Sequence, residues 1–171
     1  MADMIMDDNA VFTVGEAAWH GKGVTLGIPP DTEEALRLAR LDWHVTKVPV
    51  YAHVPAAADK PGGVRTQTGD ETDIHLKTDS FATIRTDAAG KLHVLGVVGK
   101  RYEVLQNAEA FTVFDRLLEE RGCTYESAGA IRDGRRVWIL ARIPEAMQVR
   151  DDTISRYFLL VLSHDGSLPL I

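Results

Sequence analysis

Thr124-Tyr125-Glu126-Ser127-Ala128-Gly129-Ala130-Ile131 and Arg136-Val137-Trp138-Ile139-Leu140-Ala141-Arg142-Ile143 are two alternating runs on either side of Asp133-Gly134. A period of two sends successive side chains to opposite sides of a strand. An Asp-Gly pair between two such runs supplies the backbone freedom of a hairpin turn. Arg136, Trp138, Leu140 and Arg142 then share one side, and Val137, Ile139 and Ala141 the other. One side of this hairpin is apolar and the other is cationic with an indole, which calls for an antiparallel sheet with one face covered.

The cover is predicted just upstream. Phe111, Phe114, Leu117 and Leu118 recur at spacings of three and four, Asn107 stands where a helix cap is expected, and Gly122 where the helix should end. Further upstream, Phe81 to Thr86 and Leu92 to Val98 flank Asp87-Ala88-Ala89-Gly90 and form another hairpin. Trp43 to Tyr51 is rich in Val, but Pro49 cannot donate to a ladder, so the strand belongs at an edge. Asp31, with Glu34 three residues later, caps a short helix ending near Arg40.

Downstream, Pro144 is expected to stop the second hairpin, and Ser155 to Ser163, nearly all apolar from Tyr157 to Leu162, reads as a strand buried on both faces. The order α-β-β-β-α-β-β-β gives an α+β fold, an antiparallel sheet packed by one long helix. Residues 1–30 read as an arm without regular elements, residues 31–171 as a single domain, and the polar stretch near 56–73 as a mobile insertion. The apolar end Leu168-Pro169-Leu170-Ile171 suggests a truncated chain or a tail that docks on a neighbouring subunit.

At 171 residues the chain can bury a core without staples, and its lone Cys123 rules out an internal disulfide. No run approaches the ~20 apolar residues of a membrane helix, and Asp3, Asp7 and Asp8 stand where a secretory signal carries Lys or Arg. No membrane partner and a cytoplasmic location follow as expectations. The net charge of -6 is uneven: residues 1–80 carry 7 basic against 13 acidic groups, residues 81–150 carry 11 against 9. Clustering of cations, rather than net charge, decides phosphate binding.

Gly96-Val97-Val98-Gly99-Lys100 lacks the Ser or Thr of a phosphate loop, since Arg101 follows, and it ends a strand where a KH clamp would join helices. Ser163-His164-Asp165 spells three triad residue types, but neighbours on a strand point apart, so a turn cap is the reading and no catalytic residue is assigned. The six histidines are scattered without metal-ligand spacing, so no metal and no cofactor is assigned. What remains is basic and aromatic. Arg85, Lys100, Arg101 and Tyr102 lie around the first hairpin, and Arg135, Arg136, Trp138 and Arg142 around the second. Cations beside aromatic rings can grip a backbone and stack bases, the combination used for single strands. The plainer reading is a core Trp with aliphatic Arg stems packed over it.

Six ordered motifs carry a resemblance: Ala18-Trp19-His20-Gly21-Lys22-Gly23, Leu41-Asp42-Trp43, Phe81 to Asp87, Leu95 to Asn107, Ala128-Gly129 through Trp138, and Ser163-His164-Asp165-Gly166-Ser167. Together they resemble the phage/plasmid-like family known as domain of unknown function 932. That resemblance implies a protein carried by phages, plasmids or prophages, of unassigned activity and normally longer than this chain. The helix, Trp-led strand, Gly-containing hairpin and long helix also resemble, in topology, the core of Rad52-like single-strand annealing proteins. Together with the basic and aromatic hairpins, the resemblances lead to the expectation of a non-enzymatic DNA recombination or replication protein that binds single-stranded DNA or RNA, with the eight residues read above from the hairpins as its contacts. The alternative is a structural module without nucleic-acid binding, whose Tyr157 to Leu162 strand and C-terminal tail make a homo-oligomer.

Overall fold

The computed structural model describes residues 10–16, 21–54, 74–87 and 89–168. The Trp19-His20 motif, the 56–73 insertion and the last three residues of the tail lie outside them. The element order is β1 (Val11–Val14), β2 (Val24–Leu26), α1 (Thr32–Leu38), β3 (Val45–Val54), β4 (Ile74–Thr86), β5 (Leu92–Gly99), α2 (Asn107–Arg121), β6 (Thr124–Ile131), β7 (Arg136–Val149) and β8 (Asp152–Ser163). The fold is α+β, as expected, but its strands form two sheets where one was predicted. One sheet has the order β2-β1-β6-β7-β8 and the other β3-β4-β5.

β1 and β2 occupy a stretch that suggested no regular element. They pair in parallel with each other, and β1 pairs antiparallel with β6, Phe12 opposite Ala128. Four residues are too few for a periodic signal, and the partner strand lies more than a hundred positions away. Phe12 is nevertheless fully buried.

Two helices, rather than one, cover the inner face of the five-stranded sheet. Ala35 and Ala39 of the α1 region, and Ala110, Phe111, Phe114 and Leu118 of α2, pack on Phe12, Ala128, Ala130, Val137, Ile139 and Ala141. The alternation read in β7 is therefore the one that builds the core. Asp31 caps α1 by accepting from the Glu34 N–H at 2.8 Å. Asp115 joins three elements, accepting from Thr32 Oγ1 of α1 and from the Tyr125 hydroxyl of β6. Burial and that carboxylate push the Tyr125 phenol well above its ordinary pKa.

Gly122 ends α2 in the left-handed region at φ 61°, as predicted. Its start differs. Gln106, not Asn107, is the cap, closing a capping box with Glu109. Asn107 turns inward and is buried, its Nδ2 donating to Leu41 O at 2.9 Å.

The smaller sheet contains the first hairpin. Asp87 accepts from the N–H groups of Ala89 and Lys91, and Gly90 sits at φ 79°. β3 is at the edge, with its register broken between Pro49 and Tyr51. Pro144 does not end β7. It falls in the register shift between Ile143 and Met147, where the ladder is interrupted and no N–H is needed. β8 is not buried on both faces but lies at the open edge of the larger sheet, with Tyr157, Leu159 and Val161 exposed. An unbroken apolar run specifies no face, so its burial is set by neighbours.

The sheets meet where Gly96 of β5 approaches the turn after β8. A Cβ on Gly96 would stand 2.6 Å from the Asp165 Cα. Gly96→Ala is expected to destabilise the fold by about 1–3 kcal/mol, the usual cost of overpacking, while Gly99→Ala, whose added methyl meets nothing, should cost less than about 1 kcal/mol. Urea unfolding of the two variants checks this.

Candidate nucleic-acid interface

Residues opposite one another in a ladder share a face, so the outward side of β7 and β8 can be read directly. Arg136 faces Ser163, Trp138 faces Val161, Leu140 faces Leu159 and Arg142 faces Tyr157. None of these side chains enters the helix-covered core, because the alternate set, Val137, Ile139, Ala141 and Leu162, fills it. Trp138 is half-buried and lies against Gly129 of β6, where any Cβ would overlap its ring. Gly129 is thus the seat of the indole. Arg142 is exposed, and its charge lowers the Glu126 carboxyl, which burial raises further than the arginine lowers it. Tyr157, across the ladder from Arg142, was not among the sequence-predicted contacts. The apolar run around it hid which way it points.

The residues predicted from the first hairpin go elsewhere. Arg85 is buried, its Nε donating to Asp133 O at 2.8 Å and its guanidinium 5.5 Å from the Trp43 ring centre. Burial lowers its pKa, against the opposing charges of Asp87 and Asp133. It joins the two hairpins and offers nothing to a phosphate, contrary to the expectation. The alternation that put it in a strand could not reveal that its face meets the other sheet. Lys100 and Arg101 are exposed in the turn after β5, which Lys47 pins by donating to Lys100 O and Tyr102 O, both at 2.7 Å. Tyr102 donates its hydroxyl to Ser163 O at 2.7 Å, and burial together with Asp165 raises its pKa. Its ring is committed to that junction, where a Cβ on Gly166 would touch it.

Between these groups stands the Ser163-His164-Asp165 turn. Ser163 Oγ donates to Asp165 Oδ1 at 2.6 Å, and the Ser167 N–H donates to both side chains. Burial pulls the Asp165 carboxyl up, but these hydrogen bonds outweigh it and hold the pKa below its usual value, with Arg136 helping. Arg136 reaches the same turn from the outer face, Nη2 at 3.3 Å from Ser167 Oγ. Arg135 is exposed, and its carbonyl accepts from the His164 N–H at 2.8 Å.

His164 points away from Ser163, into the protein. It is buried, with Nε2 2.9 Å from Asn107 Oδ1 and its ring edge-on to Trp43 at 5.4 Å. Thr83 donates its hydroxyl to His164 O at 2.6 Å. Ser163 and Asp165 therefore make the turn that the sequence implied, whereas His164 is a buried anchor that the sequence did not reveal. A cleft of about 500 Å³ opens beside the turn, between Arg101–Leu105 and Leu160–His164 of the β8 end.

Burial lowers the His164 pKa to about 4 from an ordinary 6.5, outweighing the charge of Asp165. The unfolded chain therefore takes up this proton first, so the stability held by neutral His164 is complete above pH 6.5 and drains away toward pH 4. The loss expected across that window is about 3 kcal/mol, and His164→Gln should flatten it. Urea midpoints measured through the window check both.

Residues 94–170, from β5 through the second hairpin and the Ser-His-Asp turn, match the family described as Domain of unknown function (DUF932). No curated protein and no solved structure matches the chain.

Proposed function

We propose that this chain is a cytoplasmic protein of a phage or plasmid that binds single-stranded nucleic acid on the outward face of the five-stranded sheet, in the service of DNA recombination or replication. The observation that carries the reading is the side-by-side placement of Arg136, Trp138 and Arg142 on β7 with Tyr157 beside Arg142 on β8. These side chains are not required by the core. Guanidinium groups neutralise phosphates and release counterions, while an exposed phenol and an indole accept bases of any sequence. Arg135 is exposed just before β7, and Arg101, next to the exposed Lys100, lines the cleft beside the Ser-His-Asp turn. Arg85 and Tyr102 have structural duties and take no part.

The resemblance to the 932 family supports a mobile-element setting, but a family of unassigned activity transfers no chemistry, so the proposal rests on the face.

Quenching of tryptophan fluorescence by a single-stranded oligonucleotide over a salt series tests it. The affinity should fall linearly on logarithmic axes, and Arg142→Gln should weaken binding and reduce the slope by about 0.7, one phosphate contact. Tyr157→Ala should weaken binding by about 1–3 kcal/mol with the slope unchanged, as stacking does. A folded protein that binds nothing at low salt overturns the proposal.

A further inference from the structure

The free edge of β8 is built to pair. β8 is terminal in its sheet and has β7 on one side alone. From Tyr157 to Leu162 it carries no charge and no proline, the devices that usually guard an edge strand. Tyr157, Leu159 and Val161 are 43%, 62% and 41% exposed. Among the described residues no further strand pairs with that edge.

The backbone indicates which groups are open. The His164 N–H turns toward β7, donating to Arg135 O, and the Ser163 carbonyl turns the other way, accepting from Tyr102. Backbone groups alternate sides along a strand, so the N–H and C=O of Tyr157, Leu159 and Val161 face outward from the edge with that of Ser163. Tyr102 occupies the Ser163 position, which leaves Tyr157, Leu159 and Val161 as the outward docking residues of the uncharged run. At this end of the strand a cleft separates Leu160 to Ser163 from the Arg101–Leu105 segment, which touches the edge through Tyr102 at Ser163.

We propose that two copies of this chain join antiparallel along these edges, with Leu159 on the twofold axis, so that their five-stranded sheets become one ten-stranded sheet. The occupant follows from self-complementarity. With Leu159 opposite itself, Tyr157 of each copy faces Val161 of the other and Phe158 faces Leu160, aromatic against aliphatic at each step, the pairing that stabilises neighbouring strands. Moving the axis to Phe158 sets Ser155 against Val161, and moving it to Leu160 sets Tyr157 against the Ser163 edge that Tyr102 already holds. A twofold contact of this kind closes on itself. It brings the Arg142 and Tyr157 side chains of both copies onto one continuous face, but it does not depend on nucleic-acid binding.

The test uses the full chain without nucleic acid. Sedimentation over a concentration series is expected to show a dimer, and Leu159→Lys, which sets like charges on the axis, should give a monomer with an unchanged circular dichroism spectrum. Leu159→Cys should form a disulfide-linked dimer under mild oxidation, because facing Cα atoms in such a ladder lie about 5.5 Å apart, within disulfide reach. Val161→Cys should not, since the two copies of that position lie about 13 Å apart along the strands. Buried Cys123 supplies the background control. A monomer at every concentration, an open-ended assembly, or cross-linking through position 161 instead of 159 overturns the proposal. Association that survives Leu159→Lys, or a partner of another kind on this edge, overturns it as well. None of these outcomes bears on the oligonucleotide titration, so the two readings fail separately.

Discussion

A neutral imidazole sealed at the meeting point of two sheets governs how this molecule holds together. His164 has Asn107 at its Nε2, Trp43 at its ring edge and Thr83 on its carbonyl. Those contacts come from the start of α2, the lead into β3 and the middle of β4, and His164 itself follows β8. Four segments far apart in the chain are thereby fixed by one residue. Charging it would strand a cation among groups that have no counter-ion to give beyond Asp165, and burial holds the proton off. Arg85, also beside Trp43, does a complementary task, tying the first hairpin to the Asp133 turn of the second.

This junction explains why the candidate interface is smaller than the sequence implied and more sharply placed. Two hairpins contribute cations, but the first uses its central arginine as a strut and Tyr102 as a clasp on Ser163. The second hairpin is free to present a face because its inner side alone satisfies the helices. Gly129 lets Trp138 lie close to the sheet, which lowers the indole beside its arginines instead of leaving it to protrude. The same face continues into β8, where Tyr157, Leu159 and Val161 extend it to the sheet edge.

Much of the second half was legible in the sequence. The period of two in β7, the spacing of three and four in α2, Gly122 as its stop and Asp133-Gly134 as a turn are local signals, and each found its element. The face assignment of Arg136, Trp138 and Arg142 followed from alternation alone. The misses share a cause. Phe12 enters the core through a strand of four residues. Asn107 is a good cap by type but answers a buried carbonyl and a histidine instead. Pro144 breaks strands in general, yet sits where β7 had already lost register.

Local composition and periodicity determined that this chain is α+β, where its hairpins turn, and which side of β7 is apolar, because those properties arise between residues a few positions apart. Tertiary structure alone decided that the strands divide into two sheets, that β8 is an edge, that Arg85 is buried and Arg142 is not, and that His164 is an anchor. The physical reason is that burial and desolvation are set by neighbours from distant segments. Two strands of the same hydrophobicity, or two arginines of the same spacing, acquire opposite roles according to what is packed against them.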